Sequence, residues 1–225
     1  MTAPKNEKPG LQARRAAISL LQGVTLDQQP LDQLLETNAE FRELEGRDRS
    51  FAHALVASSL RHGGEIKAIL SKFLSKPLPP SSGMAVDILT IATAQLLFMD
   101  VSPYAAIDLS VDLAKQDKKA QHFSGLINAV LRKVSTDGMP ALESLDGPRF
   151  NTPDWLWEQW VSAYDEKTAR AIAVAHLSEA PLDISVKDKP EYWASQLEGE
   201  LLPTGTIRIR PIDGNLQDLP GFSAG

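Results

Sequence analysis

The run from Ser82 to Met99 constrains this chain more than any other. It reads Ser-Gly-Met-Ala-Val-Asp-Ile-Leu-Thr-Ile-Ala-Thr-Ala-Gln-Leu-Leu-Phe-Met, and beyond Gly83 its only polar side chains are Asp87, Thr90, Thr93 and Gln95. These leave no continuous polar face, and a helix without one is buried. The run is too short and too interrupted to span a membrane, and no charged flank marks it as one. Pro79-Pro80 stops whatever precedes it, Ser81 or Ser82 can cap it, and Ser102-Pro103 ends it. Other helices must pack around it. The first part of the chain is therefore expected to be a helical bundle with a central member.

The flanking segments supply those helices. Leu11 to Val24 carries Leu11, Ala17, Ile18, Leu21 and Val24 on one side, with Arg14 inside the apolar arc and Arg15 on its edge. Arg14 either lays its stem on the core and pairs with a carboxylate or, with Arg15, faces a phosphate. Asp32 to Asn38 is a short helix. Gly46 opens an element through Arg47, Asp48 and Arg49 that Arg61-His62-Gly63-Gly64 closes, glycine being the expected stop. Ile66, Ile69, Leu70, Phe73 and Leu74 follow at helical spacing. Pro103 then starts a helix with Ile107, Val111 and Ala114 on one face, ending in Lys115-Gln116-Asp117-Lys118-Lys119. Phe123 to Val134 is sharply amphipathic, with Asn128, Arg132 and Lys133 on its outer side. That makes seven helices by residue 135.

From Asp137-Gly138-Met139-Pro140 the texture changes, and the stretch to Pro153 reads as a linker. Asp154–Tyr164 and Asp165–Leu177 read as helices, the first carrying Trp155, Trp157 and Trp160. At helical spacing in an acidic segment these tryptophans are read as packing anchors rather than stacking platforms for bases. Pro181–Asp188 and Thr206–Arg210 alternate as strands around a short helix, Glu191–Leu197. Two short strands do not make a stable sheet. The expected fold is mainly α: an all-helical bundle over residues 1–140, then a small, incomplete α+β subdomain over 141–225.

Function classes fall away one by one. The chain has no cysteine, which excludes disulfides, thiolate metal sites and a cysteine nucleophile. His53, His62, His122 and His176 are scattered without metal-ligand spacing, so no metal site is expected. There is no glycine-rich phosphate loop and no nucleophile elbow, hence no catalytic residue and no cofactor site within these residues. The first ten residues lack the apolar run of a signal peptide, and cytoplasmic residence is the default. Net charge is −6, unevenly spread: 16 Lys/Arg against 15 Asp/Glu in residues 1–140, then 7 against 14. An anionic partner is expected to prefer the first part. The candidate contacts are Arg14, Arg15, Arg47, Arg49, Arg61, Lys115, Lys118, Lys119, Asn128, Arg132 and Lys133, clustered at helix ends where phosphates can be met. Asn128 can equally hydrogen-bond within the helix packing.

Several of these residues form a pattern. Ala13-Arg14-Arg15-Ala16, Arg47-Asp48-Arg49, Leu60-Arg61 and above all Asn128-Ala129-Val130-Leu131-Arg132 resemble the NusB-type RNA-binding fold. Pro153-x-Trp155-Leu156, Trp160, Tyr164, Pro181-Leu182 and Leu219-Pro220-Gly221-Phe222 resemble the N-terminal half of the bacterial 16S ribosomal RNA cytosine-C5 methyltransferases of the RsmB/Sun/Fmu type. The resemblance implies a helical RNA-binding domain, a linking α+β subdomain, and a further domain that binds S-adenosylmethionine and attacks cytosine C6 with a cysteine thiolate. It implies 16S ribosomal RNA as partner, no membrane, and packing against the chain's own methyltransferase domain. The chain alone is then the RNA-positioning part rather than the enzyme. A stand-alone antitermination factor and a helical protein-interaction domain are the competing readings.

Overall fold

The computed structural model describes residues 8–209 and 216–222, so the expected strand end at Arg210 lies outside the described residues. The chain separates into two compact units, Met1–Val174 and Ala175–Gly225.

The first unit is built from α1 (Leu11–Thr25), α2 (Leu31–Thr37), α3 (Ala39–Arg42), α4 (Gly46–Arg61), α5 (Gly63–Phe73), α6 (Ala85–Phe98), α7 (Pro103–Gln116), α8 (Ser124–Glu143), α9 (Gly147–Phe150) and α10 (Asp154–Ala163); α11 (Glu166–His176) spans the division. The run that opened the sequence reading is α6, and α1, α4, α5, α7 and α8 all pack on it. Ile88, Leu89, Ile91, Ala92 and Ala94 lose essentially all contact with solvent. Each fully buried Ile or Leu contributes about 1.5–3 kcal/mol, so Ile88, Leu89 and Ile91 make α6 a major source of apolar burial in the bundle. Its polar residues find partners near and far in the chain, with one exception. The Gln95 amide donates to the Ile91 carbonyl at 3.0 Å, and Gln22 donates to the half-buried Asp87 at 2.6 Å. Thr93 Oγ1 is buried without a partner.

The start of α6 differs from expectation. No serine hydroxyl caps it; Met84 is the capping position, after a 3-10 turn at Pro80–Ser82 and Gly83 at φ +62°. Gly83 is required there twice over, by its left-handed backbone and by the Asp117 and Lys119 side chains that lie where a Cβ would go.

Three further departures appear, the first two caused by close packing from a distant segment. Gly63 and Gly64 do not stop α4 but form the first turn of α5. A Cβ on Gly64 would overlap the Phe150 carbonyl oxygen, and Asn151 Oδ1 accepts from the Gly64 and Glu65 amides at 3.0 and 3.1 Å. Asn151 also donates to the buried Glu65 carboxylate at 2.7 Å, beside His62, whose ring stacks on Phe98. The expected linker is thereby pinned to the bundle. Second, α8 runs nine residues past Val134 and through Pro140, because Gly138 and Ala141 are buried, Gly138 close against Leu97 and Val134. Tertiary burial outweighs the local cost of glycine and proline. The boundary expected at 140 therefore falls inside a helix. Third, α3 exists because Asn38 Oδ1 caps the Phe41 amide at 3.0 Å and Phe41 is buried.

The second unit contains β1 (Leu182–Ser185), α12 (Pro190–Gln196), β2 (Glu200–Leu201) and β3 (Thr206–Ile209). The two expected strands are joined by a third, giving an antiparallel sheet in the order β1-β3-β2. Ile207 and Ile209 are buried, and Arg208 clamps its cross-strand neighbour Asp183 with two bonds of 2.8 Å. Among the described residues no helix is long and apolar enough to cross a membrane.

Candidate nucleic-acid interface

The eleven residues singled out in the sequence meet different fates. Arg14 is an interior residue, only 5 % exposed. Its Nε donates to Gln95 Oε1 at 2.8 Å, its Nη1 to the Gly10 carbonyl at 3.0 Å, and its guanidinium lies over the Phe51 ring. The partner is an amide rather than the expected carboxylate, and burial lowers its pKa to about 10. Arg14 cannot reach a phosphate. Its neighbour is 100° further round the helix: Arg15 donates from Nη2 to Gln116 Oε1 at 2.7 Å, which sets it beside Lys115 at the end of α7.

Lys115, Lys118 and Lys119 are exposed on a turn that is itself ordered. Asp117 Oδ1 accepts from the Lys119 and Ala120 amides at 3.1 and 2.6 Å, and Gln121 donates to the Lys118 carbonyl. Arg15 and these three lysines form one group.

Arg47, Arg49 and Arg61 do not join it as a set. Arg47 and Arg61 stand at opposite ends of α4, about 21 Å apart at 1.5 Å per residue. Arg49 lays its guanidinium over the Phe41 ring, 4.4 Å from its centre, and serves packing between α3 and α4. Arg47 is exposed and Arg61 half-buried.

Asn128 and Arg132 are one helical turn apart on α8 and line a groove of about 420 Å³ between α7 and α8. Lys133 is exposed on the adjoining face of the helix. Among the described residues neither the Asn128 amide nor the Arg132 guanidinium has a side-chain partner, so of the two readings of Asn128 the hydrogen bond within the helix packing is not the one observed. The opposite wall is Tyr104, Ile107, Asp108 and Val111 of α7. This corrects the face assigned to α7: Ala106, Leu109, Leu113 and Ala114 turn into the core, while Ile107 and Val111 border the groove. Tyr104 is 80 % exposed. Asp108 is engaged by Lys8, whose Nζ lies 2.7 Å from it and 2.6 Å from Asp112; those carboxylates hold the Lys8 ammonium well above its ordinary pKa.

Sequence reasoning missed Tyr104 and Lys8. The signal for Tyr104 was present: Pro103 at the first helical position fixes the phase of α7, which puts residues 104, 107, 108 and 111 on one face. Nothing local marks Lys8, whose partners lie a hundred residues away.

The tryptophans divide too. Trp155 is 63 % exposed, whereas Trp157 has Arg149 and Arg170 over its ring. Both arginines hold carboxylates as well, Arg149 that of Asp154 and Arg170 that of Asp146. Among the described residues no group of His, Asp and Glu is arranged to hold a metal ion.

Residues 11–136, the bundle from α1 into α8, match the model of the NusB family. The chain belongs to the NusB family. Its similarity to curated proteins extends past the bundle. It is 31 % identical over 188 residues to ribosomal RNA small subunit methyltransferase B of Xylella fastidiosa, covering 80 % of this chain and 43 % of that protein. It is 29 % identical over 228 residues to the methyltransferase of the same name from Pseudomonas syringae, covering 94 % of this chain and 49 % of the relative. The chain thus spans about half the length of the curated relatives it matches. A chain in the crystal structure of a plectonemic RNA supercoil aligns with 57 % of this one and 95 % of itself, at TM-score 0.51 and 23 % identity, a likeness of fold.

Proposed function

We propose that these 225 residues are the RNA-recognition region of a 16S ribosomal RNA cytosine-C5 methyltransferase, holding RNA on the face made by α1, α7 and α8. The observation that carries this reading is the similarity to ribosomal RNA small subunit methyltransferases B, which runs through both units rather than stopping where the NusB match ends. Methyl transfer, with S-adenosylmethionine as donor, falls to a part of the longer protein outside these residues. Here the work is electrostatic placement: Arg15, Lys115, Lys118 and Lys119 at one end of α7, and Arg132 and Lys133 on α8, neutralise phosphates and fix the RNA in register. With the division at 174 the first unit carries 19 Lys/Arg against 21 Asp/Glu, so the overall charge of the unit does not attract RNA. The local grouping of cations does.

The test is titration of the chain with a transcribed 16S ribosomal RNA fragment at several salt concentrations. Affinity is expected to fall linearly on a log–log plot, and each charge removed from the Lys115–Lys119 turn or from Arg132-Lys133 is expected to lower that slope by about one. A folded protein whose binding is absent or indifferent to salt refutes the reading.

A further inference from the structure

We infer that the groove between α7 and α8 seats an unpaired RNA base, with Tyr104 as its stacking platform. This rests on the RNA-binding reading and adds to it which form of RNA the site takes. Tyr104 is the starting point. A tyrosine at 80 % exposure buries almost none of its ring and does nothing for the core, which α7 reaches through Ala106, Leu109 and Leu113. An aromatic face open to solvent beside a cation is what single-strand binders present to a base, since every base offers a π-face.

The rest of the groove fits a base better than a duplex. The volume of about 420 Å³ lies within the range of roughly 300–1,000 Å³ of clefts that enclose small ligands. Ile107 and Val111 give it an apolar floor on the side of Tyr104. Across from them the Asn128 amide offers both a donor and an acceptor, and is half-buried with no partner. An amide in that state matches the edge of a base, where donors and acceptors alternate. Arg132, one turn along, is free for the attached phosphate or for a second stacking contact. The carboxylate that would repel RNA here, Asp108, shares Lys8 with Asp112 and is thereby partly neutralised. A paired base has its edge occupied and both faces stacked, so the groove favours a looped-out or single-stranded nucleotide.

The experiment compares two fluorescently labelled probes on the full chain, a ten-nucleotide oligoadenylate and a fully paired RNA duplex. Tyr104→Ala is expected to weaken oligoadenylate binding about tenfold and leave duplex binding unchanged, while Tyr104→Phe, which keeps the ring, stays close to the parent. Asn128→Ala gives a smaller loss confined to the same probe. Because Tyr104 is exposed, its replacement leaves the thermal melt unaltered, which excludes unfolding as the cause. If the parent binds RNA in a salt-dependent way and Tyr104→Ala binds both probes as the parent does, the groove assignment falls and the RNA reading survives. If the folded parent binds neither probe nor the ribosomal fragment, both fall. A 5-iodouridine oligonucleotide that photo-crosslinks to Tyr104 supports the site directly; crosslinks mapping only to α4 overturn it.

Discussion

The two units obtain their order by different means. In the first, a helix with no continuous polar face is wrapped by five others, and the interior is deep enough to hold the guanidinium of Arg14, the amide of Gln95 and the carboxylate of Glu65. In the second, 51 residues fold three short strands against one helix, and Ile207 and Ile209 are the fully buried hydrophobics among its described residues. Its ion pair, Arg208 with Asp183, lies on the exposed face of the sheet. The difference is one of size. A small unit cannot bury enough of its surface to bring polar groups inside, so its charges stay in water and its core remains thin. A larger one can, and then each interior polar group needs a specific partner.

Core truncation in each unit gives the largest expected effect. Ile91→Ala on α6 should cost about 2–5 kcal/mol, read as a lowered denaturation midpoint for the whole bundle. Ile207→Ala on β3 should remove amide-exchange protection from the sheet while α6 keeps its own. Loss of protection in α6 on replacing Ile207 would break the comparison, since the two units would then unfold as one.

The arginines sharpen it at the next level. Arg14→Ala leaves Gln95 Oε1 buried without a donor and is expected to cost about 2–3 kcal/mol. Arg208→Ala frees a solvated carboxylate, and its melt should be indistinguishable from the parent's. Arg14→Glu buries an unpaired carboxylate and should unfold the bundle, whereas Arg15→Glu should leave it folded and weaken RNA binding. A stable Arg14→Glu protein would place that side chain outside the core after all.

The smallest effects are those of pH, and a partly buried carboxyl group of the first unit differs in sign from an exposed one of the second. Burial raises the Asp87 pKa above its unfolded value. The folded state then binds more protons between the two values, so stability is lost as pH rises through that window and stays lost above it. Asp87→Asn should therefore melt higher than the parent at pH 7, with the gap closing towards pH 4. Asp183 is the reverse case: the Arg208 hydrogen bonds lower its pKa, and the small stability this gives is present above the unfolded pKa and lost as pH falls. Asp183→Asn should melt no higher than the parent at pH 7. Parallel pH profiles for the two variants would show that burial does not separate these carboxylates.

Much of the helical framework was legible because it is written in local patterns. The buried member, the amphipathic faces of α1, α5 and α8, the proline start of α7 and both longer strands follow from residue spacing alone. The candidate interface was legible only in part. Spacing marked Arg132 and Lys133 as outward-facing and left Arg14 ambiguous, since an arginine inside an apolar arc can be buried by its stem or by its whole length. What settled it was Gln95, eighty-one residues away on α6 and itself fully buried.

By itself, then, the sequence determined where the longer helices run, which of them must be innermost, and where cations collect. The tertiary structure decided what depends on neighbours remote in the chain. It made Gly63-Gly64 a helix start under Phe150 and Asn151, and carried α8 past Gly138 and Pro140 onto Leu97. It also set the half-buried Ile107 and Val111 at the border of a groove, and opposed Tyr104 to Asn128 and Arg132 across it. The physical reason is that propensities and periodicities are worth tenths of a kcal/mol per residue, whereas burial and interior hydrogen bonds are worth several times more and are specified only when the chain has closed on itself.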